Sequence, residues 1–471
     1  MVFSSPLGLG LRQLAYRRYR QRRRRNKRLQ AACNANPVVS NTISGVDGDS
    51  VDLVMMEILS RLPVKSLLRY KCVCKRWRYL IEQDPYFVDL HLTRSIARPN
   101  LFMVVPTETQ KPIHRGGTSC KDVFLAANLI SVGSDSSTAA VHTVIEIDSP
   151  CYSKILGPLN GLIGFFDSKI DYGVRICNVS TLEITPWIKS TLLSDLQKDG
   201  FPANPICKLG FDPATKEHKF ICAWDICPTG NLPSYQVFEV LTVGDTTWRR
   251  NNKIPPFKLS HFEDPSSYTN GSIYYKTSVL YSKVHDDDDD RPEFIVAFDV
   301  GSEMFRALRV PKFILYRPWD TSMRRTCLSE VDGRLALFTR VSGYIVKLGL
   351  LDDRSKEHKG TGDENWTEVT IELPYFWGEE RRLYFTSVLG TDQIIIISYR
   401  RARSDDKTYE DEVSVHSCNW KKTSTFRKIK ITGIPSSILY CFPFTIFTTF
   451  CESLLPVQKR ISSNSQSYRI D

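Results

Sequence analysis

The sequence predicts a small all-α module followed by a large all-β domain, a β-propeller of about six blades. Three observations lead there. Residues 50–81 repeat apolar side chains at intervals of three and four, the period of a helix. From Leu101 to about Val457 the pattern changes to short strands between Gly, Asn, Asp and Pro turns. Within that stretch one layout recurs: an apolar strand, a polar turn, an aromatic, then a short strand ending at Pro. Its aromatics Trp248, Phe305, Trp366 and Phe426 lie 57, 61 and 60 residues apart.

The chain begins with a basic arm, residues 1–49, that lacks the apolar content to fold alone. Residues 1–46 carry ten Lys or Arg and no acid, so removing them takes the net charge from +11 to +1. A nucleic-acid surface spread over the fold is therefore not indicated; a local arm is. Within it, Arg22, Arg23, Arg24, Arg25, Lys27 and Arg28 form a candidate nuclear-targeting cluster. An RNA-binding arm, with Tyr16 and Tyr19 to stack on bases, and an organellar transit peptide are the other readings.

The helical module follows at 50–85. Ser50 or Asp49 can cap its first helix. Met55, Ile58, Leu59 and Leu62 form one apolar face, and Pro63 ends the helix. Leu67 and Leu68 open a second helix, and Tyr70, Val73, Cys74 and Trp77 continue the period to Leu80 and Ile81. Asp84-Pro85 and Arg98-Pro99 mark the boundary. About 32 residues are too few to close a core of their own, since chains below roughly 40 residues usually need a metal, a disulfide or a partner. The surplus apolar surface should pack on the chain's own β domain or on a second protein.

The β domain spans 100–457, and a polar tail fills 458–471. Its recurring segments are Val237–Pro255, Val296–Pro311, Val346–Pro374 and Val413–Pro435, with Cys177–Trp187 as a degenerate copy. A glycine followed by an apolar strand interleaves with them at Gly161, Gly271, Gly333 and Gly390. Two such elements per ~60 residues suit four strands per unit. A β-sandwich or a pair of packed sheets is the alternative, which a fixed period disfavours. Ile438–Cys451 is too short and too β-branched to span a membrane and reads as a buried strand pair.

Candidate chemistry is sparse. Thirteen scattered Cys include no C-x-x-C pair, which argues against zinc and for reduced thiols in a cytosolic or nuclear protein. Asp286–Asp290 lacks the spaced acids and glycine of a calcium loop. Asn160-Gly161 and Asn270-Gly271 are hairpin turns, and Phe211–His218 is a hairpin started by Asp212 and Pro213. His218 has no motif-placed nucleophile or acid beside it, and the four repeating aromatics read as core. No catalytic residue, metal site or cofactor is expected.

Met56-Glu-Ile-Leu-Ser-Arg-Leu-Pro-Val-Lys-Ser-Leu-Leu-Arg-Tyr-Lys-Cys-Val-Cys-Lys-Arg-Trp-Arg-Tyr-Leu-Ile81 closely resembles the F-box of the large plant F-box family. The resemblance implies a three-helix F-box that grips a Skp-type adaptor, itself tethered to a cullin and a RING partner. Carried over by position, the gripping residues are Val54, Ile58, Leu59, Leu62, Pro63, Leu67, Leu68, Val73 and Cys74, with Trp77 and Leu80 packing internally. The family's usual opening Leu-Pro aligns with Ser50-Val51, which either weakens that contact or shifts the register to Val51 and Leu53. Gly157–Phe165, Leu209–Lys219, Thr247-Trp248-Arg249, Asn270–Tyr275, Ala297–Arg306 and Cys451–Leu455 resemble the family's F-box-associated domain, Cys451–Leu455 its closing strand. That implies a kelch-like propeller that recognises substrate. The expected function is thus the non-catalytic substrate-recognition subunit of a Skp–cullin–F-box ubiquitin ligase, in nucleus or cytoplasm. The alternative is a nucleic-acid-associated scaffold acting through the Arg-rich arm.

Overall fold

A computed structural model of the chain describes residues 48–98, 100–106, 121–132, 136–148, 154–167, 172–192, 200–228, 234–260, 266–277, 293–315, 326–352, 366–378, 381–388, 390–403, 409–422, 425–432 and 445–458. The arm up to residue 47, the run Asp286–Asp290 and the tail from residue 459 lie outside the described residues. The chain divides into two compact units, Met1–Arg94 and Ser95–Asp471.

Among the described residues the first unit has four helices where the sequence reading expects three: α1 (Gly48–Leu59), α2 (Val64–Tyr70), α3 (Lys75–Gln83) and α4 (Pro85–Ile96). The Asp84-Pro85 pair is a helix start, not a domain end. Asp84 Oδ1 accepts the Phe87 N–H at 3.0 Å, and Pro85 takes the first helical position, where its missing N–H costs nothing. The added helix supplies Phe87, Val88 and Leu92 to a core with Leu59, Val64, Leu67, Leu80 and Ile81. His91 Nε2 bonds the Leu62 carbonyl at 3.0 Å, and Arg94 bonds the Glu57 carboxylate, so α4 pins both ends of the α1–α2 corner. Arg94 and then Arg61 hold the Glu57 carboxyl below the usual range.

The second unit opens with the antiparallel strands β1 (Asn100–Pro106), β2 (Lys121–Val132) and β3 (Ser136–Asp148). Blade 1 contains β4 (Lys154–Leu159), β5 (Leu162–Phe166), β6 (Gly173–Asn178) and β7 (Glu183–Ile184), with β8 (Ile188–Lys189) also on β6. Blade 2 is β9 (Gly200–Asp212), β10 (Glu217–Pro228), β11 (Tyr235–Thr242) and β12 (Arg249–Asn251). Blade 3 is β13 (Ser266–Thr269), β14 (Ser272–Lys276), β15 (Phe294–Asp299) and β16 (Phe305–Arg309), followed by the single turn α5 (Lys312–Leu315). Blade 4 is β17 (Cys327–Val331), β18 (Arg334–Arg340), β19 (Ile345–Leu351) and β20 (Trp366–Glu372). Blade 5 is β21 (Arg381–Ser387), β22 (Gln393–Arg403), β23 (Tyr409–Asn419) and β24 (Phe426–Thr432). Last comes β25 (Thr445–Phe450).

Backbone hydrogen bonds join the described strands into five sheets, one of them eight-stranded. That large sheet is two blades merged, because the outer strands β24 and β3 pair in parallel. The sixth blade is β25-β1-β2-β3, with its innermost strand contributed by the far end of the chain. The innermost strands β4, β9, β13, β17, β21 and β25 touch in a closed cycle, so the ring has the six members that the ~60-residue period implies. Ile438–Cys451 accordingly yields one described strand, β25, whose partner is β1 and not a neighbour within the segment.

The period has a local cause. Trp248, Phe305, Trp366 and Phe426 each stand at the start of a blade's outer strand, and Trp187 does the same before β8. Trp248 Nε1 donates to the Ile188 carbonyl of the blade before it (3.1 Å), and Trp366 Nε1 to that of Arg309 (3.2 Å). Phe305 packs edge-on to Phe238 of blade 2. These aromatics staple successive blades.

The glycines mark the turn between first and second strands. Asn160-Gly161, Asn270-Gly271 and Asp332-Gly333 all have positive φ, the type I′ geometry that matches strand twist. These turns and those between third and fourth strands share one face of the ring, the hairpin face. The other connections form the opposite, crossover face.

Neighbouring blades interlock along the hairpin face. Lys219 and Arg249 of blade 2 both bond Glu303 of blade 3. Ser387 of blade 5 donates to Glu330 of blade 4 at 3.1 Å. Deeper in, the fully buried Glu239 carboxylate accepts from Ser190 Oγ, Thr191 Oγ1 and Trp224 Nε1 at 2.5, 2.8 and 3.0 Å, tying blades 1 and 2. Cys207 and Cys222, direct partners across β9 and β10, are joined as a disulfide, against the expectation of reduced thiols throughout.

The segment 451–458 crosses this face as an extended strap. Asn178 Nδ2 donates to the Ser453 and Leu455 carbonyls (3.0 and 2.8 Å), while its Oδ1 accepts the Ser180 and Thr181 N–H groups. Ser180 Oγ accepts the Ser453 N–H at 3.0 Å. A Cβ on Gly161 would stand 2.4 Å from Ser453 Cβ, so only glycine admits the strap here.

Replacing Asn178 by Ala removes both donors and leaves two carbonyls unmatched. Urea denaturation should show a loss of roughly 2–4 kcal/mol, and hydrogen exchange should report release of 451–458 ahead of the sheets. An unchanged midpoint would contradict the staple.

His218 gives a pH signature. It is buried, lies 4.6 Å from Phe211 and bonds Asn160 Nδ2 at 3.0 Å; burial pushes its pKa down to about 3. The folded state thus prefers the neutral ring. Its contribution is complete above the ordinary histidine value near ~6.5 and is lost as pH falls towards about 3. Denaturation free energies from pH 7 to 4 should slope downward, and less so in His218→Asn.

Candidate functional site

The helical unit keeps apolar side chains in water that its own core does not use. On α1, Ile58 is 52% exposed and Val54 lies one turn before it, while Leu59 is 2% exposed. The apolar stripe is wider than the groove it fills, so half of it turns outward. Between α2 and α3 the chain breaks from helix at Lys71–Cys74, and Val73 is 60% exposed. Cys74 caps α3, its Sγ accepting the Trp77 N–H at 3.4 Å. Tyr70 stands edge-on to Trp77, which braces this corner.

The nine residues carried over from the family motif separate accordingly. Val54, Ile58, Pro63, Val73 and Cys74 are exposed, and Leu62 and Leu68 are half-buried. Leu59 and Leu67 are in the core, so they shape the face from beneath and do not form it. Trp77 is half-buried and Leu80 buried, in line with internal packing. Sequence reasoning missed Tyr79 and Tyr86, both exposed; Tyr86 follows the Pro85 taken as a boundary. Lys65, Arg69, Lys75 and Arg78 rim the unit with exposed positive charge.

The propeller carries a second candidate surface, on the crossover face at blades 4 and 5. Tyr344, from the β18–β19 turn, and Tyr375 and Phe376, from the β20–β21 connection, are all exposed. Tyr344 and Phe376 rings lie 5.3 Å apart. The two loops are bonded to each other, Leu373 N–H to the Tyr344 carbonyl and Trp377 N–H to that of Gly343, at 2.8 and 2.9 Å. The Arg340 guanidinium beneath gathers the carbonyls of Ser342, Trp377, Gly378 and Arg381. The rings therefore sit on a rigid platform. Tyr375 Oη meets His416 Nε2 at 2.5 Å, and burial, then Lys428 and Arg381, push the His416 pKa down to about 4. The run Tyr375-Phe376-Trp377 after Pro374 was the available sequence signal for this platform.

Comparison with known proteins matches both units. Residues 52–89 fit the F-box domain, and residues 119–453 fit the F-box associated beta propeller domain. In Arabidopsis thaliana, F-box protein At3g61340 is 28% identical over 364 residues, covering 73% of this chain and 80% of the relative. F-box protein At2g40925 is 24% identical over 436 residues, covering 88% and 92%. F-box/LRR-repeat protein At2g40920 is 26% identical over 406 residues, covering 81% of each. A helical unit with an outward apolar face, a closed β ring following it in the sequence, and matches to both in that order make one assignment: the chain belongs to the plant F-box family and carries an F-box associated β-propeller domain.

Proposed function

We propose that this protein is the substrate-recognition subunit of a Skp–cullin–F-box ubiquitin ligase. The observation that carries the reading is the outward apolar face of the helical unit, Val54, Ile58 and Val73, left uncovered although α4 has completed the core. Such a face suits burial against a partner. The cations around it favour an adaptor with an acidic rim. The propeller would hold a protein substrate, and the chain would contribute proximity, bringing a substrate lysine near a conjugating enzyme's thioester. This role needs no catalytic side chain on the chain itself.

The exposure pattern supplies a clean test. Ile58→Asp and Val73→Asp place a charge at sites already in water, so circular dichroism melts should match the wild type. Capture of a purified Skp-type adaptor should fall by several kcal/mol, because the charge would be buried unpaired in the complex. Leu59→Asp should instead melt the helical unit. Equal adaptor capture by all three folded proteins, or none by the wild type, would end this proposal.

A further inference from the structure

We infer that the strip running from the Tyr344–Phe376 platform to the outer strand of blade 5 is the docking site for an acidic peptide segment with an apolar anchor. This rests on the substrate-recognition reading and narrows its substrate class.

The charge distribution of blade 5 leads to it. Its four strands carry eight Lys or Arg and three Asp or Glu. The three acids are consecutive, Glu410–Glu412, and their register partners are Ala402, Arg401 and Arg400 on β22. That leaves β21 and β24 with Arg381, Arg382, Arg427, Lys428 and Lys430 and no acid. Lys428 and Lys430 are exposed and have no ion pair among the described residues.

Register places these charges beside the rings. Directly paired residues share a sheet face. His416 pairs with Lys428, and Lys430, two residues on, points the same way. Inward of His416 on that face, Ile396 and Phe385 stand in register with it, and with Cys418 they pack against blade 4, Phe385 stacking on Phe338 at 4.6 Å. Towards the crossover face the lining turns polar, with Ser398 accepting from Arg381 at 3.2 Å. His416 is the junction. Its ring is 3% exposed, its Nε2 meets Tyr375 Oη, and its Nδ1 has no hydrogen-bond partner. Aromatic platform, buried polar ring and exposed lysines thus form one continuous strip.

The chemistry of the occupant follows. Exposed rings held rigid by Arg340 lose little entropy on binding and suit an apolar anchor. The lysines select carboxylates beside it. A nucleic acid is the lesser fit, since the chain beyond the arm is near neutral. The opposite face is unsuited, being crossed by the 451–458 strap and interlocked by its hairpins.

The test is selection of random displayed peptides on the immobilised full chain, followed by anisotropy with the enriched peptides. Enriched sequences should be net acidic with an aromatic or aliphatic residue, and their binding should weaken with salt. Lys428→Glu/Lys430→Glu and Tyr344→Ser/Phe376→Ser should each weaken binding by roughly tenfold or more while keeping wild-type capture of a Skp-type adaptor. Retained adaptor capture separates this proposal from the ligase reading, which fails only if the wild type binds no adaptor. Lys428→Gln/Lys430→Gln serves where charge reversal disturbs the fold. Enrichment without acidic bias, no enrichment, unchanged affinity in the lysine variants, or displacement of the peptides by a single-stranded oligonucleotide at lower concentration would each overturn it.

Discussion

The propeller depends on one long-range pairing, β25 against β1, which brings residues 445–450 beside residues 100–104. Without it, β1 would present unpaired N–H and C=O groups along an open edge, and β4 and β21 would lose the strand that packs between them. The strap reinforces the closure from outside. Asn178 satisfies two strap carbonyls with one amide and uses its remaining acceptor to hold its own turn. Gly161, with no Cβ, lets the strap pass where a side chain would collide with Ser453. The rest of the ring is repetition: strands such as β5 and β14 are buried at every position because a neighbouring blade covers each face.

Much of this was legible in the sequence because the repeat is built from residues with local physical roles. An aromatic is needed wherever an outer strand must reach back to the preceding blade, Trp248 and Trp366 by a hydrogen bond and Phe305 and Phe426 by packing, so the four keep a common interval. Asn-Gly and Asp-Gly are needed wherever two strands turn with positive φ. What stayed hidden was non-local. Asp84-Pro85 can end a domain or begin a helix, and only the core waiting for Phe87 and Leu92 decides between them. Likewise the partner of β25 lies over three hundred residues away, and no local pattern names it. The apolar face of α1 was readable as a stripe, but which half of it faces water depends on the packing of the other helices, so Leu59 could not be told from Ile58 by spacing.

The two units handle surface in opposite ways. The helical unit completes a small core and still leaves the apolar side chains of Val54, Ile58 and Val73 outside it. The propeller satisfies one face internally, with salt bridges, hairpins and the strap, and concentrates exposed rings on a few rigid loops of the other. Rigidity beneath those rings comes from Arg340, a buried cation spent on backbone carbonyls and not on a ligand.

The order of the chain along the ring also sets an order in time. The helical unit is complete once residue 96 has been synthesised, while the sixth blade lacks its innermost strand until residue 450 has emerged. During the interval the nascent chain carries a finished helical module and an open, edge-exposing arc of β-blades. Any transcript that ends before Thr445 leaves that state permanent: the exposed apolar face of the helical unit intact, the β ring never shut.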